Sequence, residues 1–279
     1  MIEVIAAGAR TTIQDLGRFG YRSMGVAPAG AFDEPAARAA TLAVGNEPDA
    51  ALLEITLTGP TLRFEVDAVV AIADARSTIC EPQQVRAGET LALGRVRDGL
   101  RSYLAIRGGI NVAAVLGSRS THVASGIGPP LLAAGARLAI GTAATCAAPR
   151  RVSLPPRSEV VRVIGLDPGL GDGFEATVDP SSDRIGVRLV AELPIEGGEI
   201  DPEPMLPGMI QVPPGGRPIV LGPDAPTTGG YRTIGVVARA DLGILAQARP
   251  GQPLRFGRID EGTAVRAWKD ALTCLETST

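Results

Sequence analysis

Polar and apolar positions in this chain alternate over short stretches, and glycine or proline interrupts them every few residues. Three segments share one pattern: Arg86-Ala-Gly-Glu-Thr-Leu-Ala-Leu-Gly94, Ala133-Ala-Gly-Ala-Arg-Leu-Ala-Ile-Gly141 and Arg249-Pro-Gly-Gln-Pro-Leu-Arg-Phe-Gly257. Each reads as a glycine turn that opens a short strand. The stretch Gly59-Pro-Thr-Leu-Arg-Phe64 and the apolar runs at 68–73, 103–106, 160–164 and 218–221 add further strands of the same kind. Many short strands at this spacing predict a mainly β fold, a sandwich or barrel. A doubly wound α/β fold needs long amphipathic helices between strands, and there are too few.

Helical periodicity is confined to three places. Asp33 is a good N-cap, Pro35 suits a first turn, and alanine-rich turns run through Val44 to a stop at Gly45-Asn46. Near the C-terminus Ala264, Trp268, Ala271, Leu272 and Leu275 fall on one helical face. A short third helix is expected from Asp241, carrying Leu242, Leu245 and Ala246. The polar, proline-rich stretch 149–156 predicts a boundary between two β domains, 1–152 and 153–279, with exchange of strands across that linker left open.

Composition narrows the chemistry. The 279 residues carry a formal net charge of -3 and 45% hydrophobic residues but only 3% aromatics. This is a globular profile without the basic block or stacking platform of a nucleic-acid binder. Cys80, Cys146 and Cys274 lie far apart without CxxC spacing, which predicts free thiols in a reducing compartment. No leader-like or membrane-spanning run appears, so a soluble cytoplasmic protein is expected, with neither membrane nor nucleic acid as partner. Lys269 is the only lysine, which excludes a Walker A loop and an obvious Schiff-base lysine. His122 is the only histidine, which excludes two-histidine metal sites; a serine–histidine–aspartate triad survives only with His122 as base, and a plain structural histidine is the simpler expectation.

Polar residues concentrate in three stretches. The first, residues 11–22, packs Gln14, Asp15, Arg18, Tyr21 and Arg22 among glycines, a pattern able to fix a small polar substrate, with arginine gripping a carboxylate or phosphate. The alternative is a twisted hairpin in which Asp15 and Arg18 pair with each other. The second, residues 181–188, alternates in strand fashion and places Ser182, Arg184 and Arg188 on one face, a candidate anion site, with Asp183 on the other; a solvated strand face is the alternative. The third follows the apolar strand at 218–221: Asp224, Thr227, Thr228, Gly229, Gly230 and Tyr231 read as a strand-exit loop whose N–H groups and hydroxyls cradle an oxyanion. Turn chemistry alone also accounts for its glycines.

Several motifs together carry a family resemblance: residues 12–21, Gly25-Val26 with Gly30 and Asp33, Val44-Gly-Asn46, residues 53–61, Arg107-Gly-Gly-Ile110, Leu116-Gly-Ser-Arg-Ser-Thr121, Ser182-Asp-Arg184, residues 208–214 and Thr227-Thr-Gly-Gly-Tyr231. In order and spacing the chain resembles the KipA family, the allophanate hydrolase subunit 2 or biotin-dependent carboxyltransferase family, whose bacterial members include PxpC, the C-type subunit of ATP-hydrolysing 5-oxoprolinase. The resemblance implies two cyclophilin-like β-barrel domains with a few short helices. It also implies a KipI/PxpB-like partner in a heteromeric complex, a LamB/YcsF (PxpA)-like subunit, a small amide substrate, and ATP with Mg2+ as a candidate ion. Relatives of this kind are fused into urea carboxylase, but the chain has no biotin-attachment lysine motif, so no covalently attached biotin is expected. Two positions depart from the usual pattern: Pro226 stands where a glutamine is common and Ala29 where a serine is common.

On this reading the chain is expected to be a subunit, inactive alone, of an ATP-dependent amidohydrolase that opens 5-oxoproline to glutamate. Arg18, Arg184, Arg188 and the 227–230 stretch are the candidates for stabilising oxyanion and phosphate, and Asp15, Asp183 or Asp224 for orienting a metal or water. Asp15, Arg18, Asp183 and Arg184 are thus the catalytic candidates. The alternatives are carboxyl transfer from carboxybiotin to urea or a related amide, and a non-catalytic module that binds a KipI-like kinase inhibitor.

Overall fold

The computed structural model describes residues 1–277, with 19 strands and three α-helices among them, a mainly β protein as expected. The chain divides into two units. Among the described residues, unit 1 is Met1–Arg18, Ala29–Pro155 and 272–277; unit 2 is Phe19–Pro28 and Pro156–Ala271.

Unit 1 is layered. Its five-stranded sheet takes the order β2–β3–β9–β5–β7, from β2 (Arg10–Gln14), β3 (Leu52–Thr56), β5 (Ala68–Asp74), β7 (Pro82–Val85) and β9 (Arg101–Ile106), all antiparallel. A second sheet has the order β10–β1–β4–β8, from β1 (Ile2–Ala6), β4 (Thr61–Phe64), β8 (Thr90–Ala92) and β10 (Arg137–Leu138). A two-stranded pair joins β6 (Ile79–Cys80) to β11 (Val152–Ser153).

Alternation along the central strands sorts their side chains between two cores. Leu53, Ile55, Val70, Leu104 and Ile106 pack with Ile2, Val4, Leu62 and Phe64 of the second sheet. On the opposite face Leu52, Ala71, Ala73, Tyr103 and Ala105 meet helix α1 (Glu34–Ala43). That helix presents Ala36, Ala39, Ala40 and Ala43, so alanine lies on alanine and the backbones approach closely; this is where a chain with few aromatics finds a dense core. Asp33 caps the helix as expected, accepting from Ala36 N at 3.3 Å.

In unit 2 the strands are β12 (Val161–Ile164), β13 (Gly173–Val178), β14 (Gly186–Val190), β15 (Glu199–Pro204), β16 (Met209–Val212), β17 (Ile219–Leu221), β18 (Thr228–Val237) and β19 (Pro253–Ile259). They pair in the order β12–β19–β13–β14–β17–β16–β18–β15, and β12 also pairs with β18, so the sheet closes on itself. Closure removes sheet edges that would otherwise need protection. The long β18 makes it possible. Its first half pairs with β15 and its last residues with β12, and between them Gly235 (φ 153°) lets the strand pass Val163, whose Cγ1 would lie 2.6 Å from an added Cβ.

Helices α2 (Leu242–Gln247) and α3 (Glu261–Glu276) appear where periodicity placed them. Arg239 lies 4.5 Å over the Trp268 ring, and Leu275 enters the alanine-rich core of unit 1. The three cysteines are free, and burial, followed by the nearby Asp74 and Glu81, pushes the Cys80 thiol up to about 12.

Two local expectations need correction. Residues 228–231 are not part of the strand-exit loop, which runs from 222 to 227: β18 begins at Thr228, and its backbone is paired with β15. The glycines there answer close packing, since an added Cβ at Gly229 would lie 3.0 Å from both Gln211 Nε2 and Met205 Cγ. Residues 181–188 are likewise not one strand; β14 starts only at Gly186, because Asp183 Oδ1 accepts from the N–H groups of Ile185 and Gly186 and folds the preceding residues into a turn.

Candidate functional site

A dense buried polar group forms in unit 1 where the end of β2 meets the segment 115–122. Gln14 is fully buried: its Nε2 donates to Thr12 Oγ1 and to Thr121 O, both at 3.0 Å, and its Oε1 accepts from Gly30 N at 3.2 Å. Asp15 is the hub. Its Oδ1 accepts from Ser118 Oγ at 2.7 Å, Ser120 Oγ at 2.5 Å and Gly17 N at 2.8 Å, while Oδ2 accepts from Arg119 N at 2.5 Å. Arg18, 1% exposed, donates from Nη2 to Ser120 O at 2.5 Å and from Nε to Val115 O at 3.5 Å. Asp15 and Arg18 therefore each grip the 115–120 segment, in place of the hairpin pair that the sequence left open.

The segment they hold is tight and strained. Val115 and Ser118 bond to each other in both directions around a two-residue turn, which demands φ > 0 at Leu116 (52°) and Gly117 (78°). A leucine in that conformation costs about 1 kcal/mol or more. Leu116→Asn is expected to raise stability by about 1 kcal/mol, since asparagine tolerates the left-handed region and the leucine contributes little burial. A rise of several degrees in thermal melting checks it; no rise would show that the leucine side chain has a compensating contact.

A second buried network lies beside the first on the α1 face of the same sheet, where Thr12 is opposite Glu54 and Gln14 opposite Leu52. Glu54 Oε2 accepts from Tyr103 OH and from Phe32 N, both at 2.9 Å; Tyr103 OH in turn accepts from Asp33 N at 2.8 Å, and Arg101 Nε lies 3.6 Å from Glu54 Oε1. Complete burial, then the charges of Glu54 and Asp33, hold the Tyr103 phenol well above its ordinary value, against the pull of Arg101. Residues 29–33 are thus fastened at successive N–H groups: Gly30 by Gln14, Ala31 by Asp15 O, Phe32 by Glu54 and Asp33 by Tyr103. The turn they form holds Ala29 at φ 53° and Gly30 at φ 91°, where an added Cβ would lie 2.8 Å from Leu16 C and O.

In unit 2, Arg184 and Asp224 are a buried fork-to-fork pair, Nε to Oδ2 and Nη2 to Oδ1 at 2.8 Å each. This corrects the expected anion site: Arg184 points inward and is neutralised by Asp224, while Arg188 is exposed. Ser182 serves the turn, accepting from Arg188 N and donating to Asp179 O. Arg188 instead lines a cleft of about 610 Å³ with Arg217, Ser181 and Asp179; hydrogen bonds from Ser181 and the charges of Arg217 and Arg188 hold the Asp179 carboxyl below its usual range.

Thr228, Gly229, Gly230 and Tyr231 fall along β18, and Thr227 just before it. Thr227 O accepts from Met205 N, Gly229 faces Gln211 and Met205, Gln211 Nε2 donates to Tyr231 O at 3.3 Å, and Thr228 and Tyr231 are exposed. Tyr21 closes the 3-10 turn of residues 22–24, its carbonyl accepting from Met24 N and Val26 N.

The structure brings Gln14, Asp15 and Arg18 together, and separately Arg184 with Asp224. It does not bring Asp183 or Arg188 to Arg184. Ser118, Ser120, Glu54, Tyr103 and Gln211 were not singled out as site residues. Glu54 had a visible signal, a carboxylate inside the apolar run Leu52-Leu53-Glu54-Ile55, and the serines lie in the motif 116–121. Among the described residues no three His, Cys, Asp or Glu side chains gather to hold a metal ion, and no helix is long and apolar enough to cross a membrane.

Comparison with known proteins agrees with this architecture. The family model "carboxyltransferase domain, subdomain A and B" matches residues 24–258. The C-type subunit of the 5-oxoprolinase of Escherichia coli (strain K12) is 37% identical, with 97% of this chain and 95% of that protein covered, and its Haemophilus influenzae counterpart is 34% identical. The urea amidolyase of Saccharomyces cerevisiae is 31% identical over 91% of this chain but only 16% of its own length. Among solved structures, the K. lactis urea amidolyase superposes with a TM-score of 0.86 at 28% identity, covering 99% of this chain and 20% of that one. TTHA0988 gives 0.81 at 32% identity, with 93% of this chain and 55% of that one covered. The β architecture, the motifs and these matches lead to one conclusion: the chain belongs to the carboxyltransferase-domain family, subdomains A and B.

Proposed function

We propose that the chain is the C-type subunit of an ATP-dependent 5-oxoprolinase, which hydrolyses the 5-oxoproline lactam to glutamate. One observation carries this reading: the match to the Escherichia coli 5-oxoprolinase protein spans 95% of that relative, whereas the urea amidolyase matches use only a minor part of a much longer chain. An unstrained lactam resists water, and phosphorylation of its oxygen by ATP, here a co-substrate, turns that oxygen into a leaving group. The protein's task is then to position and to stabilise developing negative charge.

The residues of this chain suit a shared site. Asp15, Arg18, Asp183 and Arg184 all have protein partners, so their contribution is to hold loops in place. The groups left facing outward are Arg188 and Arg217 in their cleft and Thr228 with Tyr231 on β18. In this reading the site is completed by two further proteins, one KipI/PxpB-like and one LamB/YcsF-like, and ATP with Mg2+ is held jointly with them.

Purified complex should hydrolyse ATP in response to 5-oxoproline only when all three chains are present. Carboxyl transfer from carboxybiotin to urea is the second reading, favoured by the family match and the close superposition on urea amidolyase. An assembled complex that ignores 5-oxoproline yet carboxylates urea would establish it in place of the first.

A further inference from the structure

The only histidine of the chain is within hydrogen-bond reach of a serine hydroxyl outside every network described above. His122 Nδ1 lies 2.6 Å from Ser125 Oγ, and Ser125 N donates to the same Nδ1 at 3.3 Å. In the tautomer that carries its proton on Nε2, Nδ1 accepts from both groups, and the short contact runs from the Ser125 O–H to Nδ1. This is the polarity of a general base acting on a hydroxyl. His122 is 9% exposed, whereas Ser125 stands exposed on a 3-10 turn, Val123–Ser125, closed by Gly126 in the left-handed region and by His122 N donating to Ile127 O at 2.8 Å. The base follows directly on Ser118, Ser120 and Thr121, which Asp15 and Gln14 brace from beneath.

We infer that Ser125 and His122 form a nucleophile–base dyad, an acyl-accepting site that takes small activated acyl esters. The Ser125 proton passes to His122 Nδ1 as Oγ bonds to the acyl carbon. The bond from that carbon to the leaving oxygen breaks, and the imidazolium returns the proton to the leaving alkoxide. Water then attacks the acyl-serine; its proton passes through Nδ1 to Ser125 Oγ as that oxygen leaves, and the acid is released. Val123, 39% exposed beside the turn, offers apolar surface to a short acyl chain.

The competing explanation is that His122 only caps the turn, and substitution separates the two. Asparagine caps well but cannot take up the proton. The full-length chain is incubated with p-nitrophenyl acetate; nitrophenolate release is followed, and intact mass with peptide mapping locates any acetyl group. Release should exceed that of S125A, with acetyl on Ser125 in the wild type. H122N should melt at the wild-type temperature yet release nitrophenolate about tenfold or more slowly. Equal release by wild type and S125A, or by wild type and a folded H122N, overturns the dyad and leaves the cap.

Discussion

Arg184→Ala is expected to destabilise the protein by about 3–5 kcal/mol, because it leaves the Asp224 carboxylate buried without its bidentate partner. The pair clamps a specific place. Gly186 on β14 is opposite Leu221 on β17, and Arg184 and Asp224 lie just outside that register, joined also by Asp224 N donating to Arg184 O at 3.1 Å. Breaking the fork therefore frees the end of a strand pair within the closed sheet. Arg184→Lys keeps the charge but not the planar fork and should lose about half as much. The double variant Arg184→Met/Asp224→Leu removes both charges together and should recover most of the loss. Urea unfolding of the wild type, Arg184→Met, Asp224→Leu and the double variant closes a double-mutant cycle. A coupling near zero would refute the structural role, and loss of complex activity at unchanged stability would return Arg184 to the chemistry.

Asp15→Ala should cost a similar amount, about 3–5 kcal/mol, through a different mechanism. Its two oxygens serve four donors, and removal leaves the buried Ser118 Oγ and Ser120 Oγ and the half-buried N–H groups of Gly17 and Arg119 without that acceptor. Asp15→Asn replaces one oxygen by a donor and should lose about 2–3 kcal/mol. Hydrogen exchange gives a residue-level check: the Arg119 and Gly17 amides should lose protection in Asp15→Ala beyond the global change. Retained protection at Arg119 would mean that the turn at 116–117 holds the segment unaided. Since the Ser125–His122 turn continues the same segment, Asp15→Ala should also slow acetylation of Ser125.

Much of this molecule was legible in its residues. Alternation and glycine punctuation located β4, β5, β8, β9, β12, β17 and β19, and the Asp33 cap with its alanine-rich turns located α1, because strands and helices are set by local periodicity and capping. The motifs likewise placed the chain in its family. Polar residues were harder, because the same side chain can face solvent, a ligand or a buried partner. Alternation put Arg184 and Arg188 on one face; the Asp183 turn, a local hydrogen-bond choice, put them on different sides. The pair Gly229-Gly230 read as a turn, yet serves a strand packed on Gln211 and Met205.

Periodicity, capping and composition thus determined by themselves that this is a mainly β chain with three helices, a single histidine and a single lysine. Only the tertiary structure decided what those polar groups do. Arg184 finds Asp224 across 40 positions, Asp15 finds Ser120 across 105 and Gln14 finds Thr121 across 107. Such pairs are selected by the cost of burying an unpaired polar group, and that cost is set by which strands become neighbours, a property no local window of sequence contains.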